Sequence, residues 1–480
     1  MADPFLHLHR VLPGMYELSG LRTTSIRDQM LRAYVAVKRI AKIGLIGPKR
    51  PLLVLGGGAA GVTAAMTAAD LGIPVTLYEK EKDNFSRQHG SGRLIDPTEY
   101  DWPAAHWEEG RFPWSPGQIP STYPLPYKAD SATRLALNWS TAFYRWRASS
   151  PNAKKLTFRC GTPAGYLHPE NVQFRPPDSV VALNPTTVQF ERYGAALSCV
   201  GFAAERVHAS RGDHPLPGEY QGFPFWSNDP YDIPDFDLPH LTDGPDIVIS
   251  GGGDGALQDF IRVVGGPAAG PMYKRIRAMT KGKSDEHLYA CLAADDIPRR
   301  AYPWLDDPKT SGHSVLQECH DRYLVASKEI FDQLDKSHEK ESWLEDEHGK
   351  VHWVTLVHSC NHFDFCYGLN RLVALVLARL HAEKTYRQLE EVVQGGLGVK
   401  EVRAAPTVPS HTCNDPATCH GISHTVEFEP RQCPLQPPRP GLPNPIDADI
   451  VILRHGLGRN SSFGQAPIPN QTVPYWLDEP

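Results

Sequence analysis

The chain has no apolar run near the roughly 20 residues a membrane-spanning helix needs, and none is expected to span a bilayer. Its first stretch, MADPFLHLHRVLPGMYELSG, lacks the basic, then apolar, then small-residue order of a secretory signal. It holds no Cys-x-x-Cys pair, which excludes dithiol–disulfide exchange through such a motif. The nine cysteines are an odd count without a regular framework, so a reduced compartment, the cytoplasm, is the expected setting. No face concentrates Lys and Arg, and a net charge of -6 argues against nucleic acid as the main partner.

What the chain does have is room and glycine. At 480 residues it can hold two or three domains, and 41% apolar residues supply their cores. The stretch from Pro51 to Lys80, PLLVLGGGAAGVTAAMTAADLGIPVTLYEK, places an apolar run (Leu52–Leu55) before the spacing G-x-G-x-x-G at Gly56, Gly58 and Gly61. An Ala-rich helix (Thr63–Leu71) and a second apolar run (Val75–Tyr78) follow, ending in Glu79. Strand, tight turn, helix, strand and terminal acid are what a dinucleotide cradle requires. The first glycine turns the chain, the second lets backbone approach a pyrophosphate, and the third lets helix and sheet pack closely. The helix N-terminus offers N–H groups and a partial positive charge to the phosphates. An acid at Glu79 accepts ribose hydroxyls and disfavours a 2′-phosphate, pointing to FAD or NAD rather than NADP. Gly56, Gly58, Ala59, Ala60, Gly61, Glu79 and Lys80 are thus the candidate cofactor residues. In the long polar loop that follows, Gly90, Gly92 and Arg93 are placed to return to the phosphates, with Arg93 a charge-assisted partner.

A second glycine turn occurs in DIVISGGGDGALQDFIRVV, Asp246 to Val264, where a strand (Ile247–Ser250) runs into Gly251, Gly253 and Asp254 and then a helix. The residues just after it contain no apolar strand ending in an acid or a basic pair. Three readings stay open: a second nucleotide site for NAD(P)H, a helix that points its N-terminus at the first cofactor, or a degenerate fold. Other expected elements are a basic amphipathic helix (Ser25–Ile46) packed on the domain or lying on a membrane surface, and a helix with an aromatic face (Ala129–Arg147) capped by Asp130 or Ser131. Short strands are expected at Lys155–Cys160, Ser179–Leu183 and Thr187–Glu191, and a further one running into Gly201. Residues Asp285–Glu401 carry a largely helical pattern, with a strong helix at Gly368–Leu389. A late strand, Asp449–Leu453, is expected to close the first sheet.

These residues resemble the two-dinucleotide-binding-domain flavoproteins, a group that includes flavin monooxygenases, thioredoxin reductases and amino-acid hydroxylases. LVLGGGAAGVTAAMTAADLGIPVTLYEK is similar to the group's FAD-binding start, and LSCVGF (Leu197–Phe202) to its strand ending in Ala-Thr-Gly, with Cys199 and Val200 in place of Ala and Thr. SGGGDGALQDF is similar to the start of the group's NAD(P)H domain, with Gly255 in place of Ser, and GSGR to the Gly-Gly-Arg turn of amine oxidases. The resemblance implies FAD on Gly56, Gly58, Gly61 and Glu79, and NAD(P)H on Gly251, Gly253 and Asp254.

The expected fold class is α/β: a Rossmann-like FAD-binding domain with a second, degenerate nucleotide-binding-like and largely helical domain. The expected divisions are an N-terminal arm and helix (1–48), the FAD domain (49–205), an inserted substrate or NAD(P)-like domain (206–440), and a return strand and tail (441–480). Arg454 and His455, just past the late strand, are the candidate catalytic residues, placed to neutralise a reduced flavin or a substrate anion. His358, His362 and Asp364 could face a pocket. His411, Cys413, Cys419, His420 and His424 are metal-ligand types, but their spacing matches no standard site and no metal is expected. The expected activity is FAD-dependent oxidation of a small molecule, by an oxidase or a monooxygenase, with a homo-oligomer left open. The alternative is a sensor or scaffold that binds FAD or NAD without turnover.

Overall fold

The computed structural model describes residues 3–18, 26–95, 125–126, 129–162, 172–175, 179–184, 189–201, 205–210, 215–227, 245–265, 311–336, 353–363, 366–404, 424–431 and 445–456. They fall into two compact units, with described residues up to 201 in the first and those from 205 in the second.

The first unit opens with α1 (Pro4–His9), where Asp3 caps the helix by accepting from the Leu6 N–H at 3.0 Å. Strands β1 (Arg10–Leu12) and β2 (Met15–Glu17) follow, then α2 (Ile26–Lys42). The dinucleotide pattern appears as β3 (Leu52–Leu55), α3 (Ala59–Asp70) and β4 (Val75–Tyr78). A two-stranded piece, β5 (Leu94–Ile95) with β6 (Asp130–Ser131), precedes α4 (Ala132–Ser149), which Ser131 caps. Then come β7 (Leu156–Arg159), the antiparallel meander β8 (Val172–Arg175), β9 (Ser179–Asn184) and β10 (Gln189–Tyr193), and finally β11 (Ala195–Ser198). The main sheet has the order β1-β2-β11-β3-β4-β7, parallel except for β1. β3 lies between β4 and β11, so the order reverses beside it, the switch point where open α/β sheets bind ligands. Strands β3, β4 and β11 are buried along their whole length, which explains why they read as continuous apolar runs rather than as alternation.

The N-terminal segment belongs to this unit and is not a separate arm. β2 pairs in parallel with β11, and α2 packs on α3. The α2 side chains Met30, Leu31, Ala33, Ala36, Val37 and Ile40 are fully buried, which settles the choice between packing and a membrane surface. Ala64, Ala65, Ala68 and Ala69 keep α3 thin enough to be covered on both sides. The meander sits on the sheet through Val180, Ala182 and Tyr193, which meet Leu53, Leu55 and Tyr78. A polar knot reinforces that contact: Glu191 accepts from Arg159 at 3.1 Å, Asn184 at 2.6 Å and Tyr193 at 2.6 Å.

The second unit contains β12 (Asp246–Ser250), α5 (Asp254–Gly265), α6 (Ser311–Lys336), β13 (Trp353–His358), α7 (Gly368–Lys384), α8 (Leu389–Val392) and β14 (Val393–Gly395). A second meander, β15 (Leu397–Ala404), β16 (His424–Pro430) and β17 (Ile446–Ala448), leads to β18 (Ile450–Leu453). The sheet order is β14-β13-β12-β18, all parallel. This is the first unit's plan again: glycine turn after the central strand, two strands to one side, a meander, then a strand on the other side. The second meander also packs on its sheet, with Val399, Val402, Val426 and Phe428 against Val248, Val357, Val451 and Leu453.

Three expectations are corrected here. β18 pairs with β12, Ile247 opposite Ile450 through Ser250 opposite Leu453, and not with the first sheet, where β11 already holds the place beside β3. The described residues 445–456 therefore belong to the second unit, and the expected boundaries at 440 and 48 do not divide the fold. The helical pattern over 285–401 holds for α6 and α7, but β13 runs between them as the neighbour of β12. Among the described residues no helix is long and apolar enough to cross a membrane.

Candidate dinucleotide site

The Gly56 turn sits at the switch point of the first sheet. Gly56 has φ +96°, and a Cβ there would stand 2.6 Å from the Cys199 carbonyl oxygen at the end of β11, so both conformation and space demand glycine. Its N–H donates to the Tyr78 carbonyl at 2.7 Å, tying the turn to the end of β4. Gly58 is the N-cap of α3 and makes no side-chain cap bond. Nothing lies within 4 Å of a Cβ built on Gly58, so backbone can be approached closely there. Ala59 and Ala60 are the first two residues of α3, and a Cβ on Gly61 would collide with the Gly56 carbonyl.

Glu79 follows β4 directly and is buried. Its Oε2 accepts from the Gly57 N–H and its Oε1 from the Glu81 N–H at 2.9 Å. The carboxylate is therefore fixed beside the turn, where the sequence placed it. Lys80 points to solvent and pairs loosely with Glu81 at 3.5 Å, so it does not join the cradle. Arg93 is buried; its carbonyl accepts from the Ala132 N–H at 2.8 Å, and Ser91 accepts from Thr133, which fastens this loop to the start of α4.

The sequence reading missed three neighbours of the turn. Phe85 is buried with φ +56°, donates its N–H to the Gly57 carbonyl at 3.2 Å, and packs its ring 5.5 Å from that of Trp139. A buried aromatic in the left-handed region is held there by its surroundings. Asn84 is buried beside it and accepts from Ser140 at 3.1 Å. Arg87 comes within 3.7 Å of a Cβ built on Gly201, the φ +77° turn after β11. The Asp83-Asn84 pair is a turn signal that could have pointed to this return. The aromatic face of α4 is core only in part: Trp139 and Phe143 are fully buried, whereas Tyr144 is exposed and Trp146 half-buried.

The second turn repeats two of the first turn's backbone bonds. The Gly251 N–H donates to the Val357 carbonyl at 2.8 Å, as Gly56 does to Tyr78, and Gly251 has φ +146°. The Arg454 N–H donates to the Ser250 carbonyl at 2.7 Å, as Cys199 does to Leu55. By these pairings His358 holds the place of Glu79, Ala256 that of Gly61, and Arg454 that of Cys199. Asp254, the first residue of α5, accepts from the Tyr367 N–H and the Asn370 amide, both at 2.8 Å, and so anchors the start of α7.

Arg454 and His455 lie at the carboxyl end of β18, and both are held by neighbouring groups. Arg454 is buried, and its Nε donates to Asp259 on α5 at 2.7 Å, while Nη1 donates to the Phe223 carbonyl. Its guanidinium lies 5.7 Å from the Phe225 ring centre. This side chain holds α5 to the end of β18, because a buried cation must be paired. His455 donates from Nδ1 to the His208 carbonyl at 2.8 Å, which leaves Nε2 to accept from the Ser250 hydroxyl at 2.9 Å. Burial lowers its pKa, despite the bond to His208. His358 and His362 are buried rather than lining an open space: His358 packs 5.1 Å from Phe363, and burial pushes its pKa down to about 3. Asp364, His411, Cys413, Cys419 and His420 lie outside the described residues. Among the described residues no three His, Cys, Asp or Glu side chains gather as a metal site, and Cys360 and Cys366 form no disulfide.

Residues 51–91, which span the β3–α3–β4 cradle and the returning loop, match the family model of Glucose inhibited division protein A. No curated protein matches the chain. Similar solved structures include T. acidophilum thioredoxin reductase, 12% identical with a TM-score of 0.36 over 86% of this chain and 79% of that one. The Staphylococcus aureus bacillithiol disulfide reductase is 10% identical, TM-score 0.36, over 87% and 79%. A cyclohexanone monooxygenase from Rhodococcus sp. Phi1 is 11% identical, TM-score 0.36, over 86% and 73%. Scores of this size carry no argument; the α/β dinucleotide-binding architecture rests on the strand order and glycine turns of the two units.

Proposed function

We propose that this chain is an FAD-dependent oxidoreductase acting on a small molecule, with the ADP part of FAD held in the first unit. The observation that carries the reading is the Gly56 turn with a buried Glu79 carboxylate fixed beside it. The residues fit the group: a close backbone approach at Gly58, a helix N-terminus without a side-chain cap, and an acid at the strand end. When bound, the flavin supplies the electron transfer. The protein's part is placement. Ala59 and Ala60 present backbone N–H groups to the pyrophosphate, and Glu79 accepts ribose hydroxyls. Arg87 and Arg93, on the loop returning past the turn, supply positive charge. Arg454 and His455 act at one remove, by fixing α5 and the end of β18.

The Gly251 turn is the counterpart place for NAD(P)H. A monooxygenase would draw electrons from that nucleotide, whereas an oxidase would take them from its substrate. Anaerobic mixing of the purified protein with amine, amino-acid and alcohol donors, and separately with NADH and NADPH, tests the reading. Bleaching of a flavin spectrum by any of them supports turnover. A flavin that no donor reduces leaves only a binding protein.

A further inference from the structure

The two units carry the same strand-end position with opposite chemistry, and that position reads the adenosine ribose in dinucleotide sites. In the first unit it is Glu79, a carboxylate, which accepts a 2′-hydroxyl and repels a 2′-phosphate. In the second, the matching bonds of Gly56 to Tyr78 and Gly251 to Val357 put His358 there. His358 is 3% exposed, its ring lies against Phe363, and its Nδ1 makes no hydrogen bond. Kept neutral by burial, it neither repels a phosphate as an acid does nor attracts one as arginine does. The described residues that follow, Ser359 to Phe363, include no Asp, Glu, Lys or Arg, and Asp364 lies outside the described residues. The first cation on the neighbouring helix α7, Arg371, is 2% exposed. It is turned inward, over the Tyr323 and Phe363 rings at 5.7 and 5.8 Å and 3.4 Å from His320.

We propose that the second unit, on the reading that it binds a nicotinamide nucleotide, does not distinguish NADH from NADPH, because among the described residues neutral His358 stands where a charged side chain would make the choice. One charge-assisted contact to the ribose hydroxyl or its phosphate shifts affinity about tenfold to a hundredfold. Without one, the two dissociation constants fall within about tenfold of each other.

The test is calorimetric titration of the purified full-length protein, with its flavin counted beforehand, against NADH and NADPH in the same buffer. Constants within about tenfold support the proposal, and a larger preference in either direction overturns it. Failure of both nucleotides to bind a flavin-loaded protein overturns this inference together with the second site, while FAD in the first unit stands. Two variants then test the position itself. His358→Glu is expected to favour NADH, and His358→Arg to favour NADPH, each by about tenfold or more. A folded variant of either kind that leaves the ratio unchanged removes the role assigned to His358. The wild-type ratio needs no variant to fold.

Discussion

Arg454 is where a catalytic and a structural reading part most sharply, and a pair of substitutions separates them. The Arg454 and Asp259 side chains are 5% and 0% exposed, with Nε and Oδ2 2.7 Å apart. Arg454→Met leaves Asp259 with Arg262 at 2.9 Å; Asp259→Leu leaves Arg454 with Glu205 at 3.9 Å. Removing one partner of a buried pair costs about 3–5 kcal/mol when the other charge is left uncompensated, which is the upper bound here because Arg262 or Glu205 remains. In a unit of this size 1 kcal/mol moves the midpoint by about 2–4 °C, so either single change is expected to lower the second unit's transition by up to about 20 °C. Replacing both together, Asp259→Leu with Arg454→Met, removes the stranded charge, and stability is expected to return to within about 2 kcal/mol of wild type or to exceed it. Differential scanning calorimetry of the four proteins reads this directly, with flavin content measured alongside. A single Arg454→Met variant that keeps its midpoint and its flavin but loses turnover would refute the structural assignment and restore the catalytic one.

Three further outcomes are expected. Gly56→Ala should lower flavin content and cost about 1–3 kcal/mol, since φ +96° and the Cys199 carbonyl both oppose a side chain; absorbance and thermal unfolding report the two effects. Glu191→Gln should cost about 1 kcal/mol at pH 7, a figure reduced for a carboxylate that is partly solvated. Burial opposes the Glu191 charge, but bonds from Arg159, Tyr193 and Asn184 hold its pKa below the usual value. Its contribution is therefore complete above the unfolded pKa of about 4.3 and disappears as pH falls through the lower folded value, so wild-type and variant curves should converge in acid. His9 has its pKa pushed down to about 3 by burial and by the Arg32 charge. The unfolded chain then binds the extra proton first, and stability should fall as pH drops from about 6.5, with a slope of up to about 1.4 kcal/mol per pH unit that His9→Gln removes.

The first cradle was legible because everything it needs lies within thirty consecutive residues of sequence. Strand, turn, helix, strand and acid are local, and Gly56 to Glu79 fold as their spacing requires. The second was legible only as far as α5, because β13 lies far down the chain from α5 and no local pattern joins them. The two late parallel strands were equally opaque: β11 and β18 are short apolar runs of the same kind, and only pairing shows which sheet each completes. Arg454 and His455 were rightly placed at a strand end, but exposure is not written in a tripeptide. The partners that absorb them, Asp259, Ser250 and the His208 carbonyl, come from distant segments. Phe85 escaped notice because an aromatic with positive φ contradicts local preference, and the surrounding fold alone explains it.

The measurement that bears most directly on the central claim is the flavin content of wild type and Gly58→Asp. Gly58 has an extended φ of -73° and open space at its Cβ. Aspartate is a favoured N-cap, so α3 should keep or gain stability while a negative charge meets the pyrophosphate. The account predicts a yellow wild type with about one flavin per chain, as a single cradle of this kind holds, and a colourless variant with an unchanged or higher melting point. A colourless wild type, or a variant that keeps its flavin, would contradict it.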